Sequence, residues 1–531
     1  MSPNLANDHP IKVAIVGSGL AGLTTAYLLA RAPRIQVEIF EVASSPSLDS
    51  ASITLKDARD DSLHRVDLPM RSFAGGYYEN LRRLYDHIGV KYTEQQFLFS
   101  FARANSTPSI PEKVGLYSSG VGKKDTFAED SHDTTYFHHP SNLVHFPSRP
   151  TGTPLTQHVT RCIYLLLNYI YFTLCVFFFP PRESDDLGQY LERIWLPALF
   201  CESYLLPLLS AVSTCSHKSL LAAPATDVVG YKRLTHRKRH LSVLGGVSEA
   251  QGRLLEACER TGRVKLWVAR KVVSVKLAEG GNGVEVCWAG VDDAQGGGFL
   301  DADSVADSKR FDQVVLATPP NVVGKVYHKL RSEMSDIPTT QVTSVVVQPR
   351  ETGGRTNRFS VVKADAAAGK PHWELSTRVI MAQNGRGLEE ENITLRTNFR
   401  TGWTEAAHRI PCGATVTTCP LDRDSTNESH DVIRQVTFTR VLRTVGSRRV
   451  VNRLFKPRRN LARNHEEEHK DQKRRGLMDA DEAMDKHPWH NGDDGVYLVG
   501  GWCWDGMVLL EGCVVSALRV AREFGVDVPW E

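Results

Sequence analysis

The chain has 531 residues, with 64 Lys and Arg against 61 Asp and Glu and a formal charge of +3. That length accommodates a cofactor domain and a substrate domain, and the near-balance of charge argues against nucleic acid as a partner. Ten cysteines lie between Cys162 and Cys513 without a CxxC pair, and the first apolar run, Val13 to Val16, is far too short for a signal-peptide core, so an intracellular, reducing setting rather than secretion is expected.

Residues 12–17 read as a buried strand, 20–31 as a helix and 37–41 as a second strand, which together make a βαβ unit. In the stretch 67–92 a Gly-rich turn precedes an amphipathic helix carrying Leu81, Leu84 and Ile88 on one face. Residues 106–149, rich in Ser, Thr, Pro, Gly and charge, read as surface loops and short strands. The run CIYLLLNYIYFTLCVFFFPP, residues 162–181, holds no charge and is bracketed by Arg161 and Arg182. A spanning helix needs about 20 apolar residues, and this run reaches that length only by counting Asn168 and the two prolines. A buried helix or shallow, peripheral membrane contact is expected in preference to spanning, and either way the run supplies an apolar wall for a substrate.

Helical spacing continues over 187–209, and a GG turn within 244–260 leads into another helix. Residues 264–277, 283–288 and 311–316 read as strands, followed by strands over 340–347, 393–397, 414–418 and 432–439 that suit the sheet beneath a substrate pocket. The mixed charge run within 464–486, containing EEEHKDQKRR, reads as an exposed insertion.

The sharpest motif is GSGLAG, formed by Gly17, Ser18, Gly19, Leu20, Ala21 and Gly22 between the first strand and its helix. Gly17 permits the tight turn, Gly19 lets backbone approach a pyrophosphate, and Gly22 lets helix pack on strand. The helix N-terminus, with its unpaired amides and positive dipole end, then faces the phosphates. Glu41, at the end of the second strand, is placed to accept hydrogen bonds from both hydroxyls of an adenosine ribose, and would repel a 2′-phosphate. The fingerprint alone does not separate FAD from NAD.

The tail GVYLVGGWCWDGMVLLEGCVVSALRVAREFG combines a strand, two glycines, a bulky loop and a helix starting near Leu510. It resembles the C-terminal return of the flavin-containing amine oxidase and phytoene desaturase superfamily. The resemblance implies an FAD cofactor, with Gly500 at the turn and helix N-terminal amides near Leu510, Glu511 and Gly512 stabilising negative charge at the flavin's pyrimidine edge. ARKVVSVK resembles the strand whose backbone near Val272 contacts the adenine, FDQVVLATPP resembles the turn beside the cofactor, and VLGGVSEA resembles the GG turn before the helix that feeds that strand. A narrower likeness, carried by DLPMRSFAGGYYENLRRLY, PLLSAVSTCSHKSLLAAPATDVVGY and the tail, is to a subgroup of flavoproteins related to the segment ahead of plant cyclopropane fatty acid synthases, which implies a lipid acyl substrate.

The sequence also departs from the superfamily. ASSPSLDSASITL follows Glu41 where amine oxidases carry Gly-Gly-Arg, and Arg71 is the candidate replacement for contact with the flavin or its phosphates. Gly501 stands where many relatives have an acid. Trp502 and Trp504 are the nearest candidates for an aromatic cage, with packing as their other role. His138, His139 and His145 lack the spacing of a metal site, and no metal is expected. The neighbours of Cys503 do not match the superfamily's covalent attachment sequence, so the flavin is expected to be non-covalent.

The expected fold is α/β, with a Rossmann-type FAD-binding domain (11–75, 240–330 and 490–531) intertwined with an α+β substrate domain (76–239 and 331–489). The expected function is an FAD-dependent oxidoreductase, amine oxidase-like, removing a hydride from a C–N or C–C bond of a small or lipid-like substrate. The alternatives are an acyl-chain desaturase or isomerase and a non-catalytic protein binding FAD and lipid.

Overall fold

Five short apolar runs, far apart in sequence, form one parallel sheet. These are β1 (Ile11–Val16), β2 (Ile35–Phe40), β3 (Val264–Trp267), β4 (Gln313–Leu316) and β5 (Val496–Leu498), in the order β3-β2-β1-β4-β5. The chain is described by a computed structural model over residues 9–69, 71–104, 134–141, 146–281, 283–291, 307–348, 358–362, 391–421, 432–456 and 489–531. Around the sheets lie α1 (Leu20–Ala30), α2 (Glu79–Ile88), α3 (Leu155–Phe178), α4 (Ala225–Thr235), α5 (Gly246–Glu259) and α6 (Leu510–Glu523).

A parallel sheet must be covered on both faces, because its crossover connections bury both. Strand alternation divides β1 accordingly. Val13 and Ile15 enter a core with α1, α2, α5 and α6, whereas Ala14 and Val16 enter a second core with Phe40, Val272, Leu316 and Trp502. The second core lies under an antiparallel sheet of Arg270–Leu277, Val284–Gly290 and Asp307–Phe311. The result is a mixed α/β fold with a Rossmann-like unit built from both ends of the chain.

The other large sheet has seven strands, running from Val432–Val441 through Thr339–Val347, Thr415–Thr418, Trp403–Arg409, Glu391–Asn398 and Phe97–Arg103 to Thr134–Pro140. Phe97, Phe101, Ile393 and Leu395 of this sheet share a core with Leu165, Phe172 and Val176 of α3.

Local geometry breaks two of the predicted elements. The strand expected over 264–277 divides at Ala269, whose φ is 51°, and its halves enter different sheets. The helix expected over 187–209 stops at Arg193, passes through Trp195 at φ 54°, and restarts as Ala198–Phe200, a π-type turn at Cys201–Leu205, and Leu206–Ser213. Pro197 and Pro207, which lack amide donors, stand at the restarts. The strands Ile53–Asp57, Phe97–Arg103 and Trp403–Arg409 have no counterpart in the sequence reading. Most of 106–149 and all of 464–486 lie outside the described residues.

Helix α3 starts seven residues before the predicted run and ends ahead of Phe179 and the two prolines. It is neither wholly buried nor free: one stripe is core and the opposite stripe faces outward.

Candidate cofactor site

The GSGLAG turn is compact because two of its glycines have no room for a side chain. Gly17 has φ +103°, and a Cβ there would lie 2.8 Å from the Ala317 carbonyl oxygen. A Cβ on Gly22 would come within 2.0 Å of the Gly17 carbonyl oxygen, so the third glycine packs on the turn itself. Gly19 differs, since the nearest atom to its Cβ position is Ser47 Oγ at 4.0 Å. Its outer side is therefore a cradle that a larger side chain would fill, at the N-terminus of an entirely buried helix containing Leu20, Ala21 and Gly22.

Ser18 and Glu41 lock this turn to the end of β2. The Ser18 amide and hydroxyl both donate to Glu41 Oε2, at 2.9 and 2.6 Å, and the Ala43 amide donates to Oε1 at 3.0 Å. Glu41 is only 2% exposed. Three protein donors thus already engage the carboxylate that the sequence offers to ribose hydroxyls, two on Oε2 and one on Oε1. The segment replacing Gly-Gly-Arg returns over the turn, and the Ser47 amide donates to Ser18 Oγ at 2.8 Å.

Backbone bonds bring the predicted adenine strand beside Glu41. The Glu41 amide donates to the Trp267 carbonyl, and the Arg270 amide donates back to the Glu41 carbonyl, both at 2.8 Å. Val272 follows in the same strand, buried opposite Trp288, whose ring lies 4.8 Å from that of Phe40.

The 65–75 segment reaches the same site. Asp67 accepts from the Val247 amide at 3.0 Å, capping α5 in the turn where Gly246 has φ +65° and leaves no room for a Cβ beside Asp67. Burial raises the Asp67 carboxyl above the usual range, opposed by the Arg65 guanidinium. Arg71 stands near enough to Asp67, Tyr85 and Cys513 for its charge to favour their anionic forms. Cys513, in the first turns of α6, lies against the backbone of Ala21 and Gly501, and burial pushes its thiol up to about 11.

That return is held by long-range contacts. The Gly500 amide donates to Ser516 Oγ at 3.0 Å, and a Cβ on Gly501 would sit 3.0 Å from the Leu509 carbonyl oxygen. A Cβ on Gly512 would collide with the Trp504 ring, 2.3 Å from Cδ1. Trp502 is buried, its indole donating to the Thr318 carbonyl at 3.2 Å, while Trp504 packs edge-on against Tyr77. The Arg443 guanidinium donates to the carbonyls of both Trp502 and Trp504. Leu510 opens α6. Glu511 does more than contribute its amide, because its carboxylate accepts from the Asn80 amide and side chain and from the Leu81 amide, capping α2. Burial raises the Glu511 carboxyl above the usual range, and these donors oppose it. Cys503 is fully buried and burial raises its thiol well above the usual value, which makes it a poor nucleophile for covalent attachment.

The sequence assigns no individual role to Tyr77, Tyr231, Asp227 or Arg443. The Tyr77 hydroxyl accepts from the Met507 amide at 2.9 Å, and its ring meets those of Tyr78, Tyr231 and Trp504 edge-on. Asp227 is 5% exposed with Arg443 and Arg448 beside it. Tyr77 lies within FAGGYYENL, and Asp227 and Tyr231 within PATDVVGY, so the signal for these three was the resemblance of those two segments. His138 hydrogen-bonds Ser100 and His139 stacks on Phe99, while His145 lies outside the described residues.

The parallel sheet, the glycine turn and the acid at the end of β2 make up a Rossmann-like unit within a mixed α/β fold. Residues 15–88 match the family of NAD(P)-binding Rossmann-like domains. Over nearly its whole length the chain also shares a fold with two solved structures. One is an oxidoreductase from Methanosarcina mazei, with TM-score 0.52 and 10% identity, covering 96% of this chain and 100% of that one. The other is cyclohexylamine oxidase from Brevibacterium oxydans IH-35A, with TM-score 0.50 and 11% identity, covering 97% of this chain and 100% of that one. No curated protein sequence matches the chain.

Proposed function

We propose that the chain is an FAD-dependent oxidoreductase, amine oxidase-like, that removes a hydride from a C–N or C–C bond of a small or lipid-like substrate. The observation that carries this reading is the packing of the fingerprint helix α1, with its Gly19 cradle, against α6 of the GG-loop return. Ala21 of the fingerprint helix and Gly501 of the return both meet Cys513, with the charge of Arg71 bearing on it. A nicotinamide dehydrogenase has no use for such a return, whereas a flavin needs cover along its ribityl chain and ring. The fold shared with cyclohexylamine oxidase supports the same class.

FAD, when bound, supplies the electron sink. The chain's own residues bind, orient and shield it. The amides at the start of α1 would hold the pyrophosphate, Glu41 would serve the ribose, and Arg71 would offset the negative charge of the group. The amides of Leu510 and Glu511, at the start of α6, favour negative charge beside them. Tyr77 and Trp504 pack edge-on and shield the loop on one face of the sheet, while Trp502 is buried in the core on the other.

The test is anaerobic mixing of the flavin-loaded protein with primary amines, and separately with long-chain acyl compounds, while the long-wavelength flavin band is followed. Bleaching by an amine or acyl compound identifies the bond oxidised. A flavin that light reduces but no member of either class bleaches would contradict the oxidoreductase reading.

A further inference from the structure

Helix α3 is apolar on two opposite faces, and among the described residues only the inner one is packed into a core, the outer one meeting protein at Phe177, beside His236 and Arg233. The inner stripe, with His158, Leu165, Phe172, Cys175 and Val176, is buried along nearly its full length. The outer stripe, Val159, Ile163, Leu166, Ile170, Leu174 and Phe177, is between 42% and 59% exposed, at three- and four-residue spacing that sets it on a single face. It carries no charge. Beside it Trp195 stands 87% exposed, next to Ile194, whose carbonyl accepts from the Tyr171 hydroxyl.

The charge along one edge of this face identifies what covers it. Helix α4 packs beside α3 and runs into KRLTHRKR, residues 232–239, which contains five Lys and Arg and no acid. Lys232 Nζ lies 4.4 Å from the Tyr169 ring centre and donates to its hydroxyl at 2.8 Å, and the His236 ring meets Phe177 at 5.6 Å. Arg233, Arg237 and Lys238 are exposed, as is Leu234. On the opposite edge the charges are mixed, with Arg182 and Glu183 both exposed and Glu192 exposed beside Arg193, so the unbroken run of cations lies on the α4 edge. An uncharged stripe rimmed by Tyr, Trp and a basic segment has the layout of a helix lying in a bilayer interface, with aromatic rings at headgroup level and cations toward anionic phosphates.

We propose that the outer face of α3, with Trp195 and the 232–239 segment, docks the protein on the surface of a membrane containing anionic phospholipid. The helix lies flat there. It does not span, because its inner stripe is fastened to the substrate-side core, Arg161 donates to the Tyr136 carbonyl, and Arg233 donates to the Val176 carbonyl. A transmembrane pose would strip all of these contacts. The inference is independent of the flavin reading, since none of these residues belongs to the cofactor site.

Flotation of the full chain with vesicles tests it, using phosphatidylcholine alone and phosphatidylcholine mixed with phosphatidylglycerol. The protein should float with the mixed vesicles and much more weakly with phosphatidylcholine. Leu166→Gln with Ile170→Gln and Leu174→Gln alters only exposed positions and should abolish flotation while the melting temperature is kept. Arg237→Gln with Lys238→Gln should weaken binding to the mixed vesicles by roughly an order of magnitude and leave phosphatidylcholine binding unchanged. Absence of flotation with mixed vesicles would overturn the proposal, as would equal flotation of wild type and both variants. A stable dimer that the triple variant converts to monomer would overturn it too, by assigning the face to a second copy.

Discussion

The two glycine turns of the cofactor unit are built on opposite principles. Most of what shapes the GSGLAG turn lies within residues 11–47, where Gly22 rests on Gly17 and Ser18 bonds Glu41 and Ser47, with Ala317 and Thr318 closing the side of Gly17. The GGWCW turn instead depends on residues remote in sequence, namely Arg443, Thr318, Tyr77 and α2. The first turn is a local motif and the second a meeting point. Disruption of the first should act through backbone sterics, and disruption of the second through lost polar partners.

The largest effect is expected at Gly22. Gly22→Val forces a side chain into the Gly17 carbonyl oxygen and the Ala317 methyl, and should cost more than roughly 4 kcal/mol in chemical denaturation or prevent folding. A variant that unfolds like wild type would mean the first turn is not rigid. At the second turn, Arg443→Met removes two bonds to loop carbonyls and leaves Asp227 with Arg448 alone, so a loss of about 3 kcal/mol is expected from the same measurement. An undiminished stability would show that the return is not pinned from outside. Glu511→Gln turns an acceptor facing three donors into a group with its own donors, and should cost about 1 to 2 kcal/mol while loosening the first turn of α2, readable by amide exchange at Asn80 and Leu81. Unchanged exchange there would sever the proposed link between α6 and α2.

An effect that vanishes at neutral pH lies on the seven-stranded sheet, away from both glycine turns. Burial pulls His217 from the usual 6.5 down to about 4, and its ring contacts Thr404 Oγ1 at 2.9 Å. Between these values the unfolded chain binds a proton that the folded chain does not. The contribution of neutral His217 is therefore complete above 6.5 and drains away as pH falls toward 4. His217→Gln, which keeps an amide for Thr404, should flatten the stability profile in that window, and superimposable profiles would contradict the assignment.

The same contrast explains what was legible in the sequence. The βαβ unit could be read because strand period, glycine spacing and helix follow one another within a single stretch. The tail could be read as far as its glycines and helix. Its supports could not, because Arg443 contacts a loop 59 residues away, Asp67 caps a helix 180 residues away, and Glu511 caps one 430 residues away. Nothing in the local pattern around a carboxylate distinguishes a solvated acid from a buried cap. Glu41 was found by position, but its engagement with Ser18 depends on how the following loop returns. The run in α3 could be read as apolar, yet only packing assigns Phe172 inward at 2% exposure and Leu166 outward at 59%. A substitution to Asp at Phe172 therefore tests folding, whereas one at Leu166 tests the outer face.

The central claim is that fingerprint and return together hold FAD without a covalent bond. The most direct measurement is the absorbance spectrum of the purified full chain before and after acid precipitation, set beside that of Gly19→Leu. The account predicts flavin bands in the wild type, FAD released into the supernatant by acid, and a folded but colourless Gly19→Leu variant whose new side chain fills the open cradle. A colourless wild type that stays colourless with added FAD, or a Gly19→Leu variant retaining full flavin, would contradict it.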